Sequence, residues 1–249
     1  MRINLTQHQA TPEQGCTEPA DKSRVRSILT FEEAPSKGEI ASRAIELATI
    51  AMQEGATEAM IGGAPFFMRA LEDALIGKGI QPLYAFSRRD VVEDGPKKVA
   101  VFLHTGFIPA ADEALVESCR RCRPSIGGTY SIQGDEIVYQ AVSWHPWKDR
   151  EYASRVVGKA APGTAKALTC LESLEAAARK HNATQQEQAA LAREEWIETL
   201  PDKVAGYEIS KSWAQVQDEY GNFVADLPKI PMPPAEFERW VSDLAPCFD

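Results

Sequence analysis

Through the first hundred residues, short apolar runs alternate with longer segments in which apolar side chains recur every three or four positions. Residues 2–5 read as a strand, followed by the polar Thr6-Gln7-His8 and a turn at Thr11-Pro12. Ser36 stands three residues before Glu39 in capping-box spacing, and Ile40, Ala44, Leu47, Ala48 and Ala51 then share one helical face up to Gly55. Ala59-Met60-Ile61 is a buried strand running into Gly62-Gly63. Pro65 suits a first helical position, Phe67, Ala70, Leu71, Ala74 and Leu75 form the next stripe, and Gly77 and Gly79 end it. Leu83-Tyr84-Ala85-Phe86 reads as a third strand closed by Ser87-Arg88-Arg89, and Lys98 to Leu103 as a fourth.

This order predicts an α/β fold with a Rossmann-like parallel sheet, in which ligands sit at the carboxyl ends of the strands. Thr6-Gln7-His8, Gly62-Gly63-Ala64 and Ser87-Arg88-Arg89 are all expected there. The first domain is expected over 1–109, and an α+β domain over 110–249. In that second half the pattern predicts a helix from Ala111 to Cys122, a hairpin about Gly134-Asp135, and two helices in 164–199 separated near Asn182, where Thr184 and Glu187 repeat the capping-box spacing. A further hairpin is expected about Tyr220-Gly221, then a proline-rich stretch from Pro228 to Pro234 and a closing helix from Glu236 to Leu244.

Composition narrows the chemistry. The net charge is −9, with the acidic excess mainly in 110–249, so general binding to duplex nucleic acid or to an anionic membrane is not expected. No apolar run is long enough to span a bilayer and no leader pattern opens the chain, which points to a soluble, cytoplasmic protein. Five cysteines, among them Cys119 and Cys122 in one C-x-x-C, suit reduced thiols. A single pair lacks the second ligand pair that zinc requires, and no metal or cofactor is expected.

The glycine turn opening a helix suits a phosphate, because free N–H groups and the helix dipole favour negative charge there; a tight strand-to-helix turn is the plainer reading. Neither G-x-G-x-x-G nor G-x-x-x-x-G-K-[ST] occurs. Arg88 and Arg89 offer planar donor forks for phosphate or, read plainly, are two solvated charges. His8 can hold a phosphate or move a proton near neutral pH, or merely hydrogen bond; His104 carries the same choice. Trp144-His145-Pro146-Trp147 can stack a base or anchor a strand end.

Ile3-Asn4-Leu5-Thr6-Gln7-His8 with Thr11-Pro12-Glu13-Gln14, then Ile61-Gly62-Gly63-Ala64-Pro65-Phe66-Phe67-Met68, and Leu83 to Arg89 with Val92-Glu93, resemble the small CRISPR-associated Rossmann-fold (CARF-like) proteins. The His-x-x-Thr-Pro-Glu-Gln segment is the most specific part, and the resemblance covers 1–108. It implies a homodimer that binds cyclic oligoadenylate, the second messenger of type III CRISPR defence, and in some relatives cleaves it as a ring nuclease. It further implies Thr6, Gln7, Gly62, Gly63, Ala64 and Ser87 as ligand contacts and His8, Arg88 and Arg89 as catalytic residues. Cleavage there is expected to use the ribose 2′-hydroxyl and no metal. A non-catalytic sensor read out by 110–249, and a generic nucleotide-binding Rossmann-like protein, stand beside it.

Overall fold

The computed structural model describes residues 1–94, 97–123, 128–141 and 154–244. By contacts the chain divides into two compact units, Met1–His181 and Asn182–Asp249. This division and the expected one at 109/110 are different partitions, and residues 110–181 cluster with the N-terminal sheet.

The first unit is mixed α/β. Strands β1 (Arg2–Leu5), β2 (Glu58–Ile61), β3 (Gln81–Asp94) and β4 (Lys97–Pro109) form one sheet in that order. β1, β2 and β3 run parallel, whereas β4 is antiparallel to β3, so the sheet is mixed rather than parallel throughout. Helices α1 (Lys22–Leu29) and α2 (Lys37–Gln53) lie in the first crossover, and α3 (Pro65–Gly77) in the second. The Ser36 side chain caps α2 by accepting from the Glu39 N–H at 3.1 Å. Ile3, Leu5, Ala59 and Ile61 point to the helices and meet Leu47, Phe67, Leu71 and Leu75, all nearly or fully buried. Truncating one such leucine to alanine costs about 2–5 kcal/mol. The other face of β1 and β2 carries Arg2, Asn4, Glu58 and Met60. A 3-10 turn at Pro12–Gln14 precedes the segment that covers it, where Thr17 exchanges backbone hydrogen bonds with Arg2 and Asn4 along the outer edge of β1.

The third strand does not end at Ser87-Arg88-Arg89. Only its first four residues pair with β2; beyond Tyr84 it pairs with β4 alone, so 85–94 and its partner strand form a ribbon rising from the carboxyl edge of the sheet. At about 3.3 Å per residue the ribbon reaches roughly 30 Å. The expected end of the fourth strand at Leu103-His104 is likewise mid-strand. The turn-free run 83–94 and the β-favouring apolar run Val99 to Leu103 sustain pairing well past the sheet edge.

α4 (Glu113–Arg121) follows, then an antiparallel sheet of β5 (Gly128–Gln133), β6 (Glu136–Ala141) and β7 (Ser154–Lys159) in that order. The Trp144–Trp147 cluster and Cys247 lie outside the described residues. Where two helices were expected, α5 (Thr164–Thr199) is a single helix. No glycine or proline interrupts 164–199, and 182–192 are rich in alanine and glutamine, so the capping-box spacing at Thr184 is overridden by strong helix formers around it. In the second unit the C-terminal part of α5 joins an antiparallel meander of β8 (Lys203–Val204), β9 (Tyr207–Ser210), β10 (Gln215–Gln217) and β11 (Phe223–Asp226) and helix α6 (Pro234–Ser242). Its core is Ile197, Leu200, Val216, Leu227, Phe237 and Val241, with Trp196 edge-on to Phe237 at 5.4 Å. Among the described residues no helix is long and apolar enough to cross a membrane.

Gly79 shows how tightly α4 docks. Its φ is +63°, and a Cβ there would lie 2.5 Å from Arg120 Cα, whose own side chain donates from Nε to the Gly79 carbonyl at 2.9 Å. A Gly79→Ala protein is expected to lose about 2–3 kcal/mol in urea unfolding through strain and overpacking together; a change below about 0.5 kcal/mol contradicts this docking.

Candidate functional site

A polar residue inside an apolar strand organises the carboxyl edge. Asn4 is fully buried, and its side chain satisfies all its hydrogen-bonding capacity locally. Oδ1 accepts from the Thr6 N–H at 3.0 Å and lies 2.8 Å from the Thr6 hydroxyl, while Nδ2 donates to the His8 carbonyl at 2.8 Å and to Glu18 Oε1 at 2.7 Å. The chain is thereby folded back directly after β1. Glu18 also accepts from the Ala10 N–H at 2.6 Å and pairs with Lys22 at 2.7 Å, and Lys22 donates to the Asn4 carbonyl at 3.2 Å. Burial pushes the Glu18 carboxyl up, but the hydrogen bonds from Ala10, Lys22 and Asn4 together outweigh it and hold the group below the usual glutamate range.

The turn so fixed forms one wall of a cavity of ≈300 Å³ lined by Thr6, Gln7, His8, Gln9, Gln14, Met60, Gly62 and Gly63. Two of the three expected clusters therefore meet, across β1 and β2. His8 presents an exposed side chain here, and the Gln7 amide reaches back to the Leu29 carbonyl at 3.2 Å. Opposite, Gly62-Gly63 leads into α3, whose N-cap Ala64 supplies no side-chain acceptor; Pro65 at the first helical position has no N–H and the Phe67 N–H donates to the Ala64 carbonyl at 3.0 Å, so Phe66 carries the first-turn N–H that this cap leaves unserved. A Cβ on Gly62 would meet only Thr6 Cγ2, at an ordinary 3.6 Å, so packing does not demand glycine at that position. Ala64 does not line the cavity; it packs against the helix-side core.

Ser87, Arg88 and Arg89 lie outside the lining because β3 carries them up the ribbon. Strand alternation separates them. Tyr84 faces the helices, its hydroxyl donating to Glu72 at 2.6 Å. Phe107, paired with Ala85, faces the other way, with the Arg2 guanidinium 4.2 Å above its ring. A bulge leaves Thr105 as the extra residue between the pairs Phe86–Gly106 and Ser87–His104. His104 lies against Phe107 with the two rings tilted at 58° and their centroids 4.7 Å apart, so Ser87, Arg89 and His104 share the face of Met60 and Gln14, and Arg88 is on the helix face. Arg88 is 68% exposed, with Asp90 at 3.6 Å. The expected convergence of both arginines in one pocket is thus corrected: a period of two sends neighbours to opposite faces.

Asn4, Glu18 and Gln14 were missed as site residues. Asn4 was detectable as the one polar residue between Ile3 and Leu5; Glu18 was not, because its partners come from three separate segments. Cys119 on α4 and Cys122 at its C-cap are both buried free thiols. Burial pushes Cys119 up to about 11 and raises Cys122 as well, which keeps both protonated and unsuited to thiolate chemistry near neutrality. Among the described residues no cluster of three or more metal-ligating side chains occurs.

A family model described as "Uncharacterized protein MJ1673 family" matches residues 1–108, the span from β1 through all but the last residue of β4. No curated protein and no solved structure is significantly similar to the chain.

An Asn4→Ala protein is expected to lose about 1–3 kcal/mol in urea unfolding, since it leaves the His8 carbonyl and the Thr6 N–H without their buried partner; an unchanged midpoint contradicts this role. The depressed Glu18 carboxyl stabilises the fold above the unfolded glutamate value of about 4.3, and that contribution disappears as pH falls through the lower folded value. The stability gap between the natural protein and Glu18→Gln should therefore be widest near pH 6–7 and narrow below about pH 4.

Proposed function

We propose that the carboxyl-edge cavity is a nucleotide site and that the protein binds cyclic oligoadenylate, in the manner of the CARF-like proteins its N-terminal residues resemble. The observation that carries this is the meeting of His8 and the Gly62-Gly63 turn in one cavity, next to a helix start at which the N-cap Ala64 offers no side-chain acceptor. Packing leaves Gly62 free to be another residue, which favours a ligand as the reason for a bare backbone there. On this reading the four strands act as a Rossmann-like platform, with residues beyond 109 as a separate functional part.

The cavity, ≈300 Å³, stands at the lower end of the range of about 300–1,000 Å³ for small-ligand pockets. It suits one nucleotide unit, so a cyclic oligonucleotide would be shared between two copies. The exposed Phe86, Leu103 and Ile108 along the helix face of the ribbon support a homodimer, because such apolar surface favours burial against a partner.

Cleavage would proceed within the ligand. The ribose 2′-hydroxyl gives up its proton to His8 and attacks the adjacent phosphorus, the bond to the 5′-oxygen breaks, and that oxygen takes a proton. The products are a 2′,3′-cyclic phosphate and a 5′-hydroxyl, with no water consumed. Arg89, on the cavity's face of the sheet, would stabilise the developing charge; Arg88 has no part in it. One observation favours a sensor that binds without turnover: among the described residues that line the cavity there is no lysine or arginine.

Purified protein incubated with cyclic tetra- and hexa-adenylate in EDTA is expected to bind and to release linear products ending in 2′,3′-cyclic phosphate. His8→Ala should slow release by about 10²–10⁴-fold with binding retained. Gly62→Val should abolish binding while the melting temperature stays within a few degrees. Binding without products selects the sensor, and failure to bind either ring refutes the proposal.

A further inference from the structure

The ribbon carries a second feature on the face it shares with the cavity. From the sheet edge outward, the rings on this face are Phe107, then His104 after the bulge, then Phe102. Phe107 is held under Arg2, and His104 packs against Phe107 in a tilted contact. The outermost ring, Phe102, is 68% exposed. Directly across the ribbon, Ser87 pairs with His104 and Arg89 with Phe102, so an aromatic row runs beside a row ending in a guanidinium. The opposite face carries Phe86, Leu103 and Arg88 instead, with Arg88 across from Leu103 and Phe86 across from Gly106.

Single exposed apolar side chains are common and carry no meaning alone. Phe102 differs in its setting. It stands on a ribbon that rises from the edge where the cavity opens, faces the same side as Met60 and Gln14 of the cavity wall, and has a positive charge as its cross-strand neighbour. Flat π surfaces with adjacent cations are how proteins hold the bases and backbone of single-stranded nucleic acid.

We propose that the face of the ribbon bearing Phe102, His104 and Arg89 is a base-stacking extension of the cavity: one nucleotide occupies the cavity, and an adjoining adenine of the same ligand stacks on Phe102 while Arg89 meets its phosphate. This rests on the nucleotide reading above and adds to it a residue, Phe102, and a division of labour. The cavity takes one unit of any adenylate; the ribbon selects ligands with more than one. Charge and aromatic surface together fit an oligoadenylate better than an apolar protein partner, for which the other ribbon face is the suited one.

The test uses the full chain and two probes, AMP and cyclic tetra-adenylate, with affinities from calorimetry. Phe102 is exposed, so its replacement leaves the fold intact, which a thermal melt checks. Phe102→Ala is expected to weaken cyclic tetra-adenylate binding about tenfold, the worth of one stacked base, with AMP affinity unchanged. Phe102→Trp should preserve the ring ligand's affinity, and Phe102→Leu should behave as the alanine variant does, because apolar area without a π face does not replace stacking. Arg89→Ala should weaken binding and flatten its salt dependence, while Arg88→Ala stays within about twofold. A wild-type protein that binds cyclic tetra-adenylate, combined with unaltered affinity in Phe102→Ala or equal effects of the two arginine variants, overturns the ribbon proposal alone. Wild-type protein that binds neither probe, or AMP only, removes the cyclic oligoadenylate reading and this extension with it.

Discussion

Everything at the carboxyl edge depends on the hydrogen bonds of one buried amide. Asn4 sits between Ile3 and Leu5, which point to the helices, and its own side chain is turned the other way and is fully buried. An unpaired amide there would cost more than a paired one returns, so the backbone of residues 6–8 is drawn round to satisfy it, and Glu18 is drawn in from beyond the 3-10 turn. That single requirement determines where β1 stops and how His8 is presented. It also fixes which wall faces Gly62-Gly63 across the neighbouring strand. A hydrophobic residue at position 4 would relieve the requirement and leave the turn without a reason to close.

The second constraint is the continuation of β3. A parallel strand in a βα unit normally stops where its loop begins, and the residues after it form the ligand shell. Here pairing with an antiparallel fourth strand carries the chain past the edge, and Ser87, Arg88 and Arg89 become strand residues with alternating faces. For the proposed ligand the consequence is a site in two parts, a small cavity with no lysine or arginine among its described lining residues and a ribbon that supplies Arg89. Charge is thus placed above the cavity rather than within it, which suits a ligand longer than one nucleotide.

Much of the first unit was legible. The apolar stripes of α2 and α3, strands β1 and β2, the start of β3 and the two polar turns follow from periodicity and from capping and glycine signals, and the His8 and Gly62-Gly63 clusters do meet. The ribbon was not legible, because Ser87-Arg88-Arg89 reads as a polar strand end whether or not pairing continues, and only the partner strand decides. α1 was hidden for a related reason: Lys22 to Leu29 is charge-mixed, and its three buried residues, Val25, Ile28 and Leu29, give a stripe too short to stand out. The unbroken α5 shows the opposite failure, a genuine capping pattern at Thr184 outvoted by strong helix formers on either side. Glu18 could not have been read at all, since its role exists only once β1, the turn and α1 are brought together.

On the proposed reading, ligand enters between the Asn4-organised turn and the glycine turn. Hydrogen–deuterium exchange of the full chain with and without cyclic tetra-adenylate would show it as slowed exchange in peptides covering residues 5–10 and 61–67, with smaller protection along 85–104 and none in 203–242. Protection confined to the C-terminal unit, or none in the two turns despite measured binding, would place the ligand elsewhere.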